Sequence, residues 1–418
     1  MTDRLKLGLL SEKTIIVIEF GSYFIKCGFA GDSSPRYFIK LNSINPETKE
    51  KLFPLKKTNQ ITEQSWIHLV NKGLNLVFLK YLQVNTKDIV VIICDDVLCP
   101  TPLKKEIIKQ LFEKYQVPFV LFAPNPFLTL IPYKKKDGLI IDCGRSETRI
   151  IPVYEGVPLY SNLYYTELGM IDIIQNLREL LILNLEEKSQ ITKEMIQEID
   201  DETLEDIISK IVFIRGKYEK INPNQKINKK QNELIKKLQI EKKPKENQKE
   251  MKKLEIEDIK IPIRIKEKNY NLIIKGKIRG KISDILFEGK EENEFESIID
   301  IFIECLKSCN CDVRASVSQN IILCGGTSMI PGFLSRLREE VDFKLDNDEY
   351  FKDVQFLKGK LHFNHNKKNA NYISWIGGSV IGSLNDIVDR SLKREVYLEK
   401  GSKSFQDWSN FFGYIQDF

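Results

Sequence analysis

The sequence predicts an α/β fold built by duplication, with two large α/β domains of similar build facing each other across a cleft. Three observations carry that expectation. An apolar strand, an acid-x-Gly turn and a second apolar strand occur at residues 15–31 and again at 138–156. The order strand, strand, strand, helix, strand, helix follows the first copy and restarts at Gly138. A Gly-Gly turn, Gly325-Gly-Thr-Ser-Met-Ile-Pro-Gly332, then follows a short apolar strand late in the chain.

Residues 14–31 read as a β-hairpin, because two β-branched runs flank the turn at Gly21, and 37–41 adds a third strand. Residues 42–63 are polar and Lys-rich, carry Pro46 and Pro54, and read as a short excursion. Helical apolar spacing covers 66–81, a continuous β-branched run marks a buried strand at 88–94, and 102–115 is a helix with Pro102 in its first turn. Residues 119–122 are a strand. The second hairpin starts at Gly138, and a helix spans 169–184. Residues 222–251 are rich in Lys, Asn, Gln and Glu and read as a solvated, disordered insertion. Leu234, Ile235 and Leu238 keep the helical spacing of a partner-docking element within it. Strand signal at Leu272-Ile-Ile and the basic Lys277–Arg279 stretch lead to an amphipathic helix at 294–307, a strand at 320–324 and a helix at 333–341. Ile373-Ser-Trp-Ile-Gly-Gly-Ser-Val-Ile-Gly-Ser383 is a Gly-containing helical segment suited to close packing. The expected domains are 1–137 with 345–418, and 138–344.

Composition excludes several classes. At 42% hydrophobic and 10% aromatic the chain is globular. Residues 222–250 hold nine Lys against four Glu and so carry the whole net charge of +5. The remainder has 55 basic and 55 acidic residues, which argues against a nucleic-acid surface. Of the eight cysteines, several lie inside apolar strands as small hydrophobes. Cys305, Cys309 and Cys311 are close in sequence, but no second Cys/His group has ligand spacing, and His362 and His365 stand apart, so no zinc site is expected. The first residues lack a signal peptide and no apolar run reaches the ~18 residues of a membrane span, so a cytosolic protein with reduced thiols is expected.

Two acid-x-Gly hairpins facing each other can hold a polyphosphate, since turn amides donate and Gly admits close approach, while the neighbouring carboxylates steer a divalent ion. Gly325-Gly-Thr-Ser-Met-Ile-Pro-Gly332 resembles the adenosine motif of actins. Ser374-Trp-Ile-Gly-Gly-Ser-Val380 is similar to their second connecting helix. Lys26-Cys-Gly-Phe-Ala-Gly-Asp-Ser-Ser-Pro-Arg36 resembles their first phosphate segment, and Ile151-Pro-Val-Tyr-Glu-Gly156 follows the second. The resemblance spans nearly the whole chain outside the insertion and implies the actin-like ATPase fold around a central nucleotide cleft. Ile92-Ile-Cys-Asp-Asp-Val-Leu-Cys-Pro100, Leu121-Phe-Ala-Pro124, the short Lys-rich segment after Pro35 and the tail from Arg394 to Trp408 resemble one group more finely. That group is the divergent actin-related proteins at the pointed end of the dynactin filament.

The resemblance assigns nucleotide contacts to Gly21, Ser22, Lys26, Asp142, Gly144, Arg145, Gly325, Gly326, Thr327 and Met329, and metal steering to Glu19. It also exposes departures. Tyr23 replaces a Gly, Arg145 stands where the family has a second metal-associated Asp, and Asn125 replaces the water-orienting Gln. The nucleoside-cradling Lys–Glu pair maps onto Ile208 and Ser209. Exchanging an anion for Arg145 swings the local charge by two units, repelling a divalent ion yet offering a bidentate phosphate partner. Catalytic residues are therefore not expected. ATP or ADP would be a static ligand, with the divalent metal in doubt.

The function implied is a non-catalytic cap in the cytoplasmic cytoskeleton, whose partners are the actin-related filament subunit of dynactin and its pointed-end adaptor subunits. The charged excursion 42–63 would replace the apolar loop that accepts a next protomer, so the chain is not expected to self-polymerise. Direct contact with membrane or nucleic acid is not expected. The alternatives are a nuclear actin-related subunit of a chromatin remodeller and an ATPase of the same superfold.

Overall fold

A computed structural model describes residues 13–40, 43–44, 51–52, 63–185, 191–216, 257–289, 296–347 and 354–401. Most of the excursion 42–63, all of the insertion 222–251 and the tail beyond residue 401 lie outside them. Two compact units are present: Met1–Ile173 with Ile285–Met329 and Val341–Phe418, and Ile174–Asp284 with Ile330–Glu340.

Among the described residues the first unit holds two large mixed sheets and a small antiparallel ladder, Ser43–Ile44 with Lys51–Leu52. The strands of the two large sheets are β1 (Thr14–Phe20), β2 (Phe24–Phe29), β3 (Tyr37–Lys40), β4 (Ile89–Asp95), β5 (Phe119–Pro124), β6 (Gly138–Cys143), β7 (Thr148–Tyr154), β8 (Val157–Pro158), β9 (Tyr164–Thr166), β10 (Ile321–Cys324), β11 (Phe363–Asn364) and β12 (Leu392–Lys393). The first sheet runs β12-β5-β4-β1-β2-β3 and the second β8-β7-β6-β10-β11, with β9 also on β7. The duplication is visible in the pairing. β1 and β6 each have an antiparallel hairpin partner on one side, β2 or β7, and a parallel neighbour on the other, β4 or β10.

β1 and β4 carry continuous apolar stretches, residues 15–18 and 89–94, because both faces of the first sheet are covered. Ile16, Ile18 and Val91 face a layer with Leu69, Leu74, Leu103 and Ile107 from the helices Glu63–Asn75 and Thr101–Lys109. Both helices continue past those ends into a wider π-type turn, Leu76–Tyr81 and Gln110–Lys114, which completes the expected spans. Val17, Val90 and Ile92 point the other way, to Leu128, Trp375 and Ile381. The last three lie on the helices Asn125–Leu130 and Ile373–Gly382. A Cβ on Gly377 would lie 1.9 Å from the Leu128 carbonyl oxygen, so glycine there sets how closely the helices approach. Trp375 is fully buried, and its indole N–H donates to the Val17 carbonyl at 3.1 Å.

Several expectations need correction. The helix expected over 294–307 runs Ile298–Ser308, because the Ser297 hydroxyl accepts from the Asp300 amide and caps it there. The helix from Phe333 extends to Asn347. Asn125, which stands where the family has its water-orienting Gln, is the first residue of a short helix with Pro126 in its first turn.

In the second unit the strands Ile259–Ile265 and Lys268–Ile274 form a hairpin of which the sequence reading had only the Leu272–Ile274 end. The helices Lys193–Glu198 and Asp201–Ile211 are capped by Thr192 and Asp200. Arg336, 4% exposed, is held by Glu340 at 2.7 Å and Asp284 at 3.3 Å, and donates to the Arg215 carbonyl.

Candidate functional site

Both hairpins of the first unit are wired alike. In each, an acid on the first strand lies opposite a base seven residues later on the second: Glu19 across from Lys26, Asp142 across from Arg149. Glu19 is only 7% exposed. Its Oε1 accepts from the Lys26 ammonium, and its Oε2 accepts from the Ser374 hydroxyl at 2.8 Å. The second pair is looser, since Arg149 is 3.6 Å from Asp142 and 3.8 Å from Glu147, and its closest ion pair is with Asp96 just beyond β4. Burial pushes the Asp142 carboxyl up to about 6; Lys26 pulls it down and Glu19 raises it further. The charged pairs of the two hairpins therefore share one electrostatic environment. Burial lowers the Arg149 guanidinium to about 10, which leaves it protonated at neutral pH.

The two turns meet directly. Gly21 closes the first through its amide to the Phe24 carbonyl, and Gly144 closes the second through its amide to the Glu147 carbonyl, both at 2.9 Å. Tyr23, on the first turn, carries the Arg145 guanidinium of the second at 4.0 Å from its ring centroid, within cation–π range. Lys40 lies 5.0 Å from the same centroid. Arg145 is fixed through its backbone as well: its carbonyl accepts from the Ile171 amide at 2.9 Å, and the neighbouring Gly144 carbonyl accepts from the Thr327 hydroxyl at 2.6 Å.

The Gly-Gly turn packs on the same strand. Gly325 has φ +86°, and a Cβ on it would lie 2.2 Å from the Cys143 carbonyl oxygen and 2.5 Å from Asp142 Oδ1. Only glycine fits both that conformation and that approach. Gly326 differs, being exposed with nothing within 4 Å of a built Cβ. Thr327 to Met329 form a short 3₁₀ turn, and the Ser328 hydroxyl lies 3.3 Å from His365 Nε2.

The structure thus brings Glu19, Gly21, Ser22, Lys26, Asp142, Gly144, Arg145, Gly325, Gly326, Thr327 and Met329 to two facing hairpin turns and the adjoining glycine turn, all within the first unit. The Asn125 side-chain oxygen is buried without a hydrogen bond among the described residues. Ile208 and Ser209 lie in the second unit, the first buried and the second donating to the Asp206 carbonyl at 2.7 Å. Sequence reasoning missed Arg149, Asp96 and Ser374 as site partners. For Arg149 a signal existed, a lone base inside an apolar strand at the offset that Lys26 keeps from Glu19.

These residues do not fit a divalent ion. Mg²⁺ and Ca²⁺ take hard oxygens that can turn toward the metal. Glu19 instead holds a donor on each oxygen, Asp142 is flanked by Arg149, and a guanidinium lies at the turn. Among the described residues no three His, Cys, Asp or Glu side chains converge as a metal site. Lys26 and Arg145 place two basic side chains at these turns, and Gly326 leaves open space beside the glycine turn.

A duplicated mixed-sheet architecture with paired acid-x-Gly hairpins and a Gly-Gly turn defines the actin class of folds, and the chain belongs to the actin family: the profile described as Actin matches residues 10–407. It is similar to Actin-related protein 10 of Dictyostelium discoideum, 28% identical over 94% of this chain and 88% of that protein. It is also similar to Actin-related protein 2 of Arabidopsis thaliana, 24% identical over 94% of this chain and 97% of that one. No helix among the described residues is long and apolar enough to cross a membrane.

Proposed function

We propose that this protein is a non-catalytic actin-related subunit that caps the pointed end of the dynactin filament, in the cytoplasm, and helps dock the adaptor subunits there. The observation that carries the non-catalytic reading is the Tyr23–Arg145 stack. Hydrolysis needs an oriented water and a stabilised leaving phosphate. Here an aromatic ring and a guanidinium join the phosphate turns, and Asn125 is too short and too enclosed to place water. Any ATP or ADP is then a static ligand. The capping reading is supported by the finer sequence resemblance at 92–100, 121–124 and 394–408 and by similarity to an actin-related protein rather than only to actins. A chain lacking an acceptor surface at one end terminates a heterologous assembly.

The test is purification of the tagged chain from its own cells, with copurifying proteins identified by mass spectrometry. Dynactin filament and adaptor subunits are expected, with no filaments formed by the isolated protein. Remodeller subunits would replace this reading with the nuclear one. Phosphate release above a no-protein control, lost in Glu19→Ala, would restore the ATPase.

A further inference from the structure

We infer that Arg215 and Arg279, set around Phe213 in the second unit, form a binding site for a phosphate monoester dianion that engages both guanidiniums. The site shares no residue with the hairpin turns and does not depend on whether nucleotide is held there.

Three features support it. The two cations border one aromatic ring: the Phe213 centroid lies 5.7 Å from the Arg215 guanidinium carbon and 5.5 Å from that of Arg279. Both distances are within cation–π range. Among the described residues neither side chain has a carboxylate partner, since Asp284 and Glu340 are committed to Arg336. Arg279 is half-buried, and burial first and Arg215 second hold its guanidinium below its ordinary value. A bound anion relieves that repulsion, and a phosphate dianion matches two monocations where a single carboxylate would not.

Both side chains are also seated in advance. Arg279 Nε and Nη2 donate to the Ile211 carbonyl at 3.1 and 3.0 Å, which commits two of the five guanidinium N–H groups. The Arg215 backbone is pinned by Arg336, which donates to its carbonyl at 2.8 Å, and by the Ile214 amide on the Pro331 carbonyl at 2.7 Å. Its side chain crosses Gly280: a Cβ there would lie 2.8 Å from Arg215 Cδ and Nε and 2.9 Å from Cγ. Gly280 has φ −82°, an ordinary right-handed backbone, so the crossing side chain and not the conformation excludes a Cβ. Finally, Arg215 is exposed and Phe213 half-exposed, so a ligand reaches the pair from solvent.

The experiment is phosphorus NMR titration of the purified full chain with inorganic phosphate and with a phosphoserine peptide, at constant ionic strength. Wild type is expected to bind both. Arg215→Gln and Arg279→Gln should each weaken binding by about tenfold or more, the loss of a charge-assisted contact. Gly280→Ala keeps both charges but displaces Arg215, and should weaken binding by about three- to tenfold. Lys277→Gln removes an exposed charge from the same short helix and should leave affinity within about twofold. Tighter binding of the peptide than of inorganic phosphate assigns the phosphoryl group to a partner's side chain, and equal binding to a small phosphate ester; both retain the inference. No binding of either probe by wild type overturns it, and needs no variant to fold. So does a loss confined to one of the two arginine variants, or one of equal size in Lys277→Gln. None of these outcomes bears on the copurification test of the capping reading.

Discussion

Gly325→Ala tests whether the glycine turn is architecture before it is a nucleotide contact. The new Cβ would sit 2.2 Å from the Cys143 carbonyl oxygen and 2.5 Å from Asp142 Oδ1, with the backbone at φ +86°. Left-handed backbone costs an L-residue about 1–2 kcal/mol. Relieving the contact needs roughly 1 Å of movement by β6, which is clamped between β7 and β10, and overpacking of that kind costs about 1–3 kcal/mol. The total is roughly 2–5 kcal/mol, or a fall in melting temperature of about 4–20 °C at ~2–4 °C per kcal/mol. The control is Gly326→Ala, where the Cβ enters open space and the melting temperature should stay within about 2 °C. Intrinsic-fluorescence melting of nucleotide-free protein reads both. If Gly325→Ala melts with the wild type, β6 yields to the glycine turn and the packing argument is wrong.

Two further outcomes follow from buried charge. Arg149→Met strands Asp96 in a site where it is 7% exposed, and should cost about 3–5 kcal/mol by urea denaturation, most of it recovered in Arg149→Met/Asp96→Asn. An unrecovered double variant would mean that the guanidinium matters for packing and not for pairing. The His365 imidazole is lowered to about 4 by burial first and by Lys367 second. Its folded-state value lies below the unfolded one near 6.5, so the fold favours the neutral ring, and stability falls as pH drops from about 6.5 toward 4. At pH 5 the loss is at most about 2 kcal/mol, and denaturation of His365→Gln across that range should be flatter. Parallel pH profiles for the two proteins would show that another group carries the dependence.

Much of the site was legible because its parts are local. The alternating and continuous apolar runs of β1, β2, β6 and β7 marked both hairpins, and Gly21, Gly144 and Gly325 stand where close turns require them. Strand Ile259–Ile265 escaped notice although Ile259, Ile261, Ile263 and Ile265 alternate. Its hairpin turn is Lys266-Glu267, at φ 44° and 68°, and not the Asn-Gly that usually announces such a turn. Pro262 within the run also weakens a strand reading and is tolerated in this two-stranded ladder.

The sequence by itself determined the actin architecture, the two acid-x-Gly hairpins and the replacement of family residues by Tyr23, Arg145 and Asn125. Periodicity, glycine conformation and residue type are properties of short segments and need no neighbour to be read. Only the tertiary structure decided what those residues do. The parallel partner of β6 arrives as β10, far along the chain, because the elements of the second unit intervene. Lys26 pairs with Glu19, Ser374 reaches that acid from the distant helix, Arg149 finds Asp96 beyond β4, and Tyr23 lies under Arg145. Apart from the Glu19–Lys26 pair, set by hairpin register, each contact joins residues that only folding brings near. Whether a charge there serves a metal, a phosphate or another side chain depends on burial and on competing partners, which the packed chain alone supplies.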